Sequence, residues 1–319
     1  MKISLNRLSK HLWEDSGMLV VFVILFIGLS LFVPYFFSWV NMLGLMLSVS
    51  MVGMVACTML FCLASGDFDL SVEAIVAFSG VLVAVLINQT KSIPLGIFLG
   101  VFSGALVGLI NGTIIAKFKI NALIVTLAMM QIVKGLTFII SNGSAVGIYE
   151  SKFFLLGTGR TLDMPNPIWI TALLFVIFGF LLNKTIYGRN TLAIGGNKEA
   201  SRLSGINVDR IKIIIFTVQG LVSGFAGVVL ASRMTSGQPN TSQGFSLDVI
   251  SACVLGGVSL SGGAGTITGT LVGVLIMGTV QNAMNLMNIS SFYQYVVRGL
   301  ILLVAVLFDQ FKQNQLKRS

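Results

Sequence analysis

Four polar residues whose side chains could do chemistry lie close together between two apolar runs: Asp67, Asp69, Ser71 and Glu73. Three carboxylates within seven residues, with no basic residue near them in the sequence, are costly at membrane depth and should face water, a cavity or a partner. They could accept hydrogen bonds from sugar hydroxyls, bind a cation or relay a proton. The alternative is helix capping and structural hydrogen bonding. We treat these four residues as a candidate substrate path.

The residues around these acids predict how they are positioned. Gly66 suits the end of one helix, and Asp69 or Ser71 suits the N-cap of a new one. Asp67 and Asp69 are two residues apart, so on a continuous helix they would face different sides. We therefore expect a discontinuous helix near residues 65–73.

The composition identifies the environment of this segment. Of the 319 residues, 55% are hydrophobic and 10% are charged, and the mean hydropathy is +0.94. A soluble domain carries about 25% charged residues. The composition therefore excludes an ordinary cytosolic enzyme, a disordered chain and a disulfide scaffold, and it predicts an all-α polytopic membrane protein.

Ten apolar segments are candidates for transmembrane helices, each of which needs about 20 apolar residues. They are Met18–Phe37, Met42–Ala64, Val72–Asn88, Ile93–Ala116, Ala122–Ser141, Ile168–Asn183, Ile211–Ala231, Leu247–Leu260, Ile267–Leu286 and Phe292–Phe308. The third, sixth and eighth look short, which can mark a broken helix beside a cavity.

The basic residues predict the orientation. With ten spans, fourteen of the 20 Lys and Arg residues fall on the side of the N-terminus, four fall on the other side, and Lys134 and Arg298 fall within spans. The positive-inside rule therefore places both termini in the cytoplasm. We expect a cytoplasmic tail over residues 1–16, one transmembrane domain over residues 17–310 and a second cytoplasmic tail over residues 311–319.

The fourth segment carries a regular stripe of glycines. Four residues turn a helix by about 400°, so glycines at intervals of four stay on nearly the same face. The stripe predicts a groove in which a neighbouring helix packs closely. Its members are Gly96, Gly100, Gly104, Gly108 and Gly112.

The longest predicted cytoplasmic loop, residues 184–212, contains a short helical pattern. Asn197 suits the N-cap, and Gly205 suits the stop. A helix of two turns is marginal alone, so we expect a docking partner. The candidate contact residues are Gly196, Asn197, Lys198, Glu199, Ala200, Arg202, Leu203 and Gly205.

Several chemistries have no motif in the sequence. No G-x-x-x-x-G-K-[ST] motif is present, so we expect no ATP bound by this chain and no other cofactor. Cys57, Cys62 and Cys253 lie in apolar runs without metal-ligand spacing, so we expect no metal site. We assign no catalytic residues, and paired aspartates are the only conceivable dyad.

Three segments carry a resemblance to a known family. Residues 66–72 are similar to a Gly-x-Asp-Leu-Ser-Val signature, residues 195–206 to a cytoplasmic coupling segment, and residues 255–265 to a late glycine-rich segment. In these segments the chain resembles the permease subunits of bacterial ABC importers for ribose, galactose, arabinose and related sugars. The likeness covers residues 17–310.

The resemblance implies import of a monosaccharide from periplasm to cytoplasm, across the bacterial inner membrane. Residues 53–69, 231–239 and 294–299 point to L-arabinose as the sugar. The implied partners are a second permease copy, a P-loop ATPase that uses ATP and Mg²⁺, a periplasmic sugar-binding protein and the lipid bilayer, with no nucleic acid. One departure is Ser246, where members usually carry Glu; the acid is absent or has moved to Asp248.

Two other classes of function remain open from the residues alone. Asp67 and Asp69 could serve an ion-coupled secondary transporter as its cation or proton site. The same pair could serve an intramembrane aspartyl enzyme. Uptake by an importer needs a separate ATPase and continues when the ion gradients collapse. Uptake by a secondary transporter needs no ATPase and stops when the gradients collapse. An intramembrane enzyme would form product as the purified protein alone.

Overall fold

The computed structural model describes the backbone of residues 2–316 and the side chains of residues 17–311 except residue 308. The α-helices of the described chain are α1 (Lys2–Phe32), α2 (Trp39–Ala64), α3 (Val72–Thr90), α4 (Ile93–Phe118), α5 (Ala122–Ser141), α6 (Leu155–Thr158), α7 (Asn166–Lys184), α8 (Ile186–Gly196), α9 (Lys198–Leu203), α10 (Val208–Met234), α11 (Phe245–Leu255), α12 (Ile267–Leu286) and α13 (Ser291–Leu316). A 3-10 helix spans Ser151–Phe154, and the short strands are β1 (Val146–Gly147), β2 (Arg160–Thr161), β3 (Met164–Pro165) and β4 (Ser236–Gly237). Lys317 and Arg318 of the predicted second tail lie outside the described residues.

Eight described helices are long and apolar enough to cross a membrane by length and composition: α2, α3, α4, α5, α7, α10, α12 and α13. Two shorter apolar helices are Gly17–Phe32, within α1, and α11. The prediction of an all-α polytopic membrane protein is confirmed. The count of ten spans, the sides of the termini and the tail boundaries stay predictions.

The structure corrects the predicted lengths of three of the apolar segments. The third and sixth segments looked short, but α3 and α7 each have 19 residues. The eighth is shorter than expected, because α11 has 11 residues and is about 16 Å long, roughly half of a bilayer core. Gly257, with φ +84, ends it, although the apolar run continues to Leu260.

Helix α2 lies at the centre of the fold. Residues 53–65 are all buried, and the helix packs against α7, α10, α11 and α12. A helix that is hydrophobic on all sides is expected at such a central position. The chain break that follows it is therefore surrounded by protein, where non-helical backbone is tolerated at membrane depth.

The break itself begins with a glycine-terminated helix end. The N–H of Asp67 donates to the carbonyl of Cys62 at 3.0 Å, and the N–H of Gly66 donates to that of Leu63 at 2.9 Å. This is the Schellman pattern, which requires the left-handed conformation that Gly66 adopts at φ +80. Helix α3 starts only at Val72, so the predicted discontinuity is present.

The glycine stripe of α4 faces α3 and α10. A methyl group added to Gly104 would lie 2.8 Å from the Cα of Gly224, and one added to Gly112 would lie 2.8 Å from the Cα of Ile213. Gly96 faces the side chain of Ile87 on α3. The glycines let these backbones approach closely, as in many membrane-helix pairs.

Replacing Gly104 by leucine should destabilise the protein by about 1–3 kcal/mol or more, since the added side chain meets backbone that cannot move aside. The measurement is thermal unfolding in detergent. The matched control is Gly44→Leu, where a methyl group meets nothing within 4 Å. Equal unfolding temperatures for wild type and Gly104→Leu would contradict the packing.

Two polar loops, residues 142–167 and 232–240, meet each other. Strand β1 pairs antiparallel with β4, and Ser232 accepts a hydrogen bond from the Gly157 N–H at 2.8 Å. The chain from β4 onward runs along α3. Gly237 of β4 packs on the backbone of Gly80 and Val81, and Ser242 donates a hydrogen bond to the Glu73 carbonyl at 2.7 Å. We call residues 235–244 the re-entrant segment. It leads directly into α11, which begins at Phe245.

Candidate functional site

Asp67 is paired with a lysine from a distant part of the chain. Its Oδ2 lies 2.5 Å from the Nζ of Lys212, near the start of α10. The residues are only 8% and 7% exposed, so each charge depends on the other for compensation. The ion pair joins the break to α10, and in this structure Asp67 contacts Lys212 rather than an open path.

Asp69 is fully buried and organises the start of α3. Its Oδ1 accepts from the Ser71 N–H at 2.9 Å and from the Ser71 hydroxyl at 2.6 Å. Asn111 of α4 donates to the same hydroxyl at 2.9 Å. Asp67 and Asp69 thus have different partners, and no hydrogen bond joins their carboxylates. The geometry is that of a structural network rather than a catalytic dyad.

Glu73 lies apart from the two aspartates. Its Oε2 accepts from the Gly244 N–H at 2.9 Å and from the Ser246 hydroxyl at 3.3 Å. A carboxylate at a helix N-terminus satisfies free N–H groups and favours the helix dipole. Glu73 therefore fixes the start of α11 against α3, and Ser246 contributes a donor there rather than a second acid.

A recess lies beside Glu73, between α3, α5 and the re-entrant segment. Its empty volume is about 270 Å³. It is lined by Glu73, Lys134, Asn240, Ser242 and Gln243, together with Ala74, Ala77, Met130 and Pro239. Of the four predicted path residues, Glu73 alone borders this recess.

Arg298, whose role the sequence left open, pairs with Asp248. Its Nη1 lies 3.2 Å from the Asp248 Oδ2, and its guanidinium lies 5.6 Å from the centre of the Tyr295 ring. Both interactions lower the cost of a charge within an apolar helix. The ion pair joins α13 to the short helix α11.

The predicted coupling segment contains the short helix α9. The Asn197 side chain accepts from the Ala200 N–H at 2.9 Å, and Gly205 adopts φ +83. Glu199 and Arg202 form an exposed pair at 3.4 Å, and Leu203 is 89% exposed. The short helix is thus present and exposed, and the docking of a partner on it stays a prediction.

The three glycine-rich motifs of the sequence meet at one point. The Gly263 N–H donates to the carbonyl of Ala64 at 2.9 Å. A methyl group on Gly262 would lie 2.9 Å from both the Gly195 Cα and the Gly66 N. The end of α8 therefore rests directly on the break after α2 and on the late glycine-rich loop.

An aromatic contact strengthens this attachment. Tyr187 of α8 stacks on Phe61 of α2 with ring centroids 5.1 Å apart. Burial raises the pKa of the Tyr187 hydroxyl far above its usual range. Helix α8 thus lies against the α2 region at two places, the glycine-rich meeting point and this aromatic pair.

The sequence reasoning missed Lys212, Asn111 and Asn240 as parts of the site. One signal could have found the lysine: buried carboxylates without a local base need a cation from elsewhere, and Lys212 begins an apolar run. Asn111 and Asn240 have no comparable signal, because their contacts depend on how distant helices pack.

The chain is similar to known proteins along most of its length. The profile of the family "Branched-chain amino acid transport system / permease component" matches residues 41–306. The "L-arabinose transport system permease protein AraH" of Escherichia coli K12 is 63% identical over 304 residues, 95% of this chain and 93% of that protein. No solved structure matches the chain.

Two further relatives are similar along nearly the whole chain. The "L-arabinose ABC transporter permease protein AraH" of Azospirillum brasilense is 60% identical over 96% of this chain and 90% of that protein. The "Ribose import permease protein RbsC" of Bacillus subtilis is 46% identical over 91% of this chain and 90% of its own length. The chain therefore belongs to the branched-chain amino acid transport system permease family.

Proposed function

We propose that this protein is the membrane-spanning permease subunit of an ATP-driven importer that carries L-arabinose across the bacterial inner membrane. The observation that carries the proposal is the 63% identity with an L-arabinose permease over 95% of the chain. The chain itself is a transport subunit and not an enzyme. A separate P-loop ATPase binds ATP and Mg²⁺, and a periplasmic binding protein delivers the sugar.

The attachment of α9 supplies a mechanism for energy transfer. The ATPase docks on α9, whose Leu203 side chain is exposed. When ATP binding moves the ATPase, α8 moves with it, and Gly195 transmits this motion to the end of α2 at Ala64. The break after α2 allows the helices to shift as rigid bodies between inward and outward states. The sugar is neutral, so accumulation is driven by ATP hydrolysis.

A second copy of the chain accounts for the exposed face of α5. Gln131 is exposed in the middle of this helix, Lys134 is half-buried, and a methyl group on Gly135 would meet open space. Polar groups at this depth are unfavourable against lipid. In a homodimer that encloses an aqueous path along α5, the side chains of Gln131 and Lys134 would be hydrated. The outer loops, residues 142–167 and 232–240, would then meet the binding protein.

The proposal is tested by uptake of radiolabelled L-arabinose into proteoliposomes that contain this chain, the ATPase and the binding protein. With internal ATP held constant, uptake should continue when ionophores collapse the ion gradients, and it should stop without ATP. Asp67 already contacts Lys212, so its charge is compensated without a coupling cation. Uptake that follows the ion gradients and ignores ATP would instead establish the secondary transporter.

A further inference from the structure

We propose that the recess between α3, α5 and the re-entrant segment binds the monosaccharide during translocation, through Glu73, Lys134, Asn240 and Gln243. This inference rests on the proposed function and adds the location of the sugar contact. It moves that contact away from the buried Asp67 and Asp69, and it adds Lys134, Asn240 and Gln243 to Glu73 as contact residues.

The recess lies within the thickness of the membrane. Lys134 is the thirteenth residue of the 20-residue helix α5, about 18 Å from its start. Asn111 donates a hydrogen bond to Ser71 at the start of α3. It lies seven residues before the end of α4, so the start of α3 is about 10 Å inside that end along the helix axis. Glu73 follows Ser71 by two residues. Charged groups at such depth are stable only beside water, a partner or a polar ligand.

Neither charged group of the recess forms an ion pair with a described residue. Glu73 uses Oε2 for Gly244 and Ser246, and its Oε1 receives no hydrogen bond from a described residue. Both groups are half-buried rather than enclosed, so a ligand can reach them.

The chemistry of the lining suits a neutral polyhydroxylated molecule. Each sugar hydroxyl donates one hydrogen bond and accepts others. The free Oε1 of Glu73 accepts, the ammonium of Lys134 donates, and the amides of Asn240 and Gln243 do both. Opposite charges on the two walls also leave the recess without a strong preference for ionic ligands.

The recess is an open hollow rather than an enclosed pocket, because its empty volume of about 270 Å³ includes space continuous with solvent. A ligand there would be held briefly, by contacts on one side only. Apolar contacts come from Ala74, Ala77 and Met130, which can pack against the ring face of a sugar. One wall, the re-entrant segment, is anchored at Glu73, so a sugar bound there touches the element that positions α11.

The test uses the reconstituted importer with Lys134→Met and, separately, Asn240→Ala. Each variant should lower L-arabinose uptake by roughly 10- to 100-fold, while binding-protein-stimulated ATP hydrolysis persists, because only sugar contacts are removed. Lys117→Met makes the same chemical change at an exposed site at the end of α4 and should leave uptake unchanged.

A second readout separates sugar recognition from a structural role. Wild type should transport arabinose lacking one hydroxyl more slowly than arabinose, and Lys134→Met should reduce that ratio toward one. Wild-type uptake and discrimination in both variants would overturn the proposal, as would joint loss of uptake and ATP hydrolysis in a correctly assembled complex. Failure of the wild-type complex to transport arabinose would instead refute the proposed function.

Discussion

Replacing Lys212 by methionine is expected to destabilise the protein by about 3–5 kcal/mol, the usual cost of leaving one partner of a buried ion pair alone. The Lys212 and Asp67 side chains are 9% and 10% exposed, so water cannot replace the lost partner. Asp67→Asn should cost a similar amount, because it strands the Lys212 ammonium. The measurement is the free energy of unfolding in detergent.

The double variant Asp67→Asn with Lys212→Met is the decisive comparison. With both charges removed, most of the lost stability should return, since a buried pair contributes little beyond mutual compensation. Arg202→Met is the control: it breaks two exposed pairs, with Glu199 and with Asp209, and should change stability by about 0–1 kcal/mol. Additive losses in the double variant would contradict the pairing.

Replacing Gly195 by alanine is expected to damage both stability and transport with a single methyl group. That methyl would fall on the carbonyl of Ala64 and the N–H of Gly263, and both are backbone atoms at the meeting point of three motifs. Overpacking of this kind costs about 1–3 kcal/mol. It would also shift α8 away from α2, so ATP hydrolysis should be poorly coupled to uptake.

Gly196→Ala provides the matched control for stability. It is the same change one residue later in α8, and its methyl meets nothing within 4 Å. Since alanine favours a helix over glycine by about 0.5–1 kcal/mol, this variant should be as stable as wild type or slightly more stable. Thermal unfolding and ATP-dependent uptake are measured side by side. Equal stability and uptake for Gly195→Ala and wild type would show that α8 does not rest on the break.

Local signals made much of this architecture predictable. The apolar runs located the long apolar helices. Gly66 marked the break because only glycine readily takes the left-handed conformation required there. Asn197 and Gly205 bounded α9 for similar reasons. Each of these features depends on a few neighbouring residues, so hydropathy and capping chemistry suffice.

Contacts between distant segments were not predictable. The lack of a base near Asp67 indicates that a distant cation is needed, but that Lys212 supplies it depends on how α10 packs against α2. The apolar run through Leu260 concealed the end of α11, because hydropathy does not register the backbone conformation of Gly257. Glu73 borders the recess whereas Asp69 is fully buried, and this difference between the two carboxylates likewise depends on tertiary packing.

The central claim is that α9 is the element through which a separate ATPase moves this permease. It is tested most directly by placing a photo-cross-linking amino acid at Leu203 in membrane vesicles that contain the active importer. We expect the ATPase subunit to be captured at Leu203, and not at Leu31, which is 75% exposed on the apolar helix α1. Absence of the ATPase from the Leu203 products, in vesicles that still transport sugar with ATP, would contradict the account.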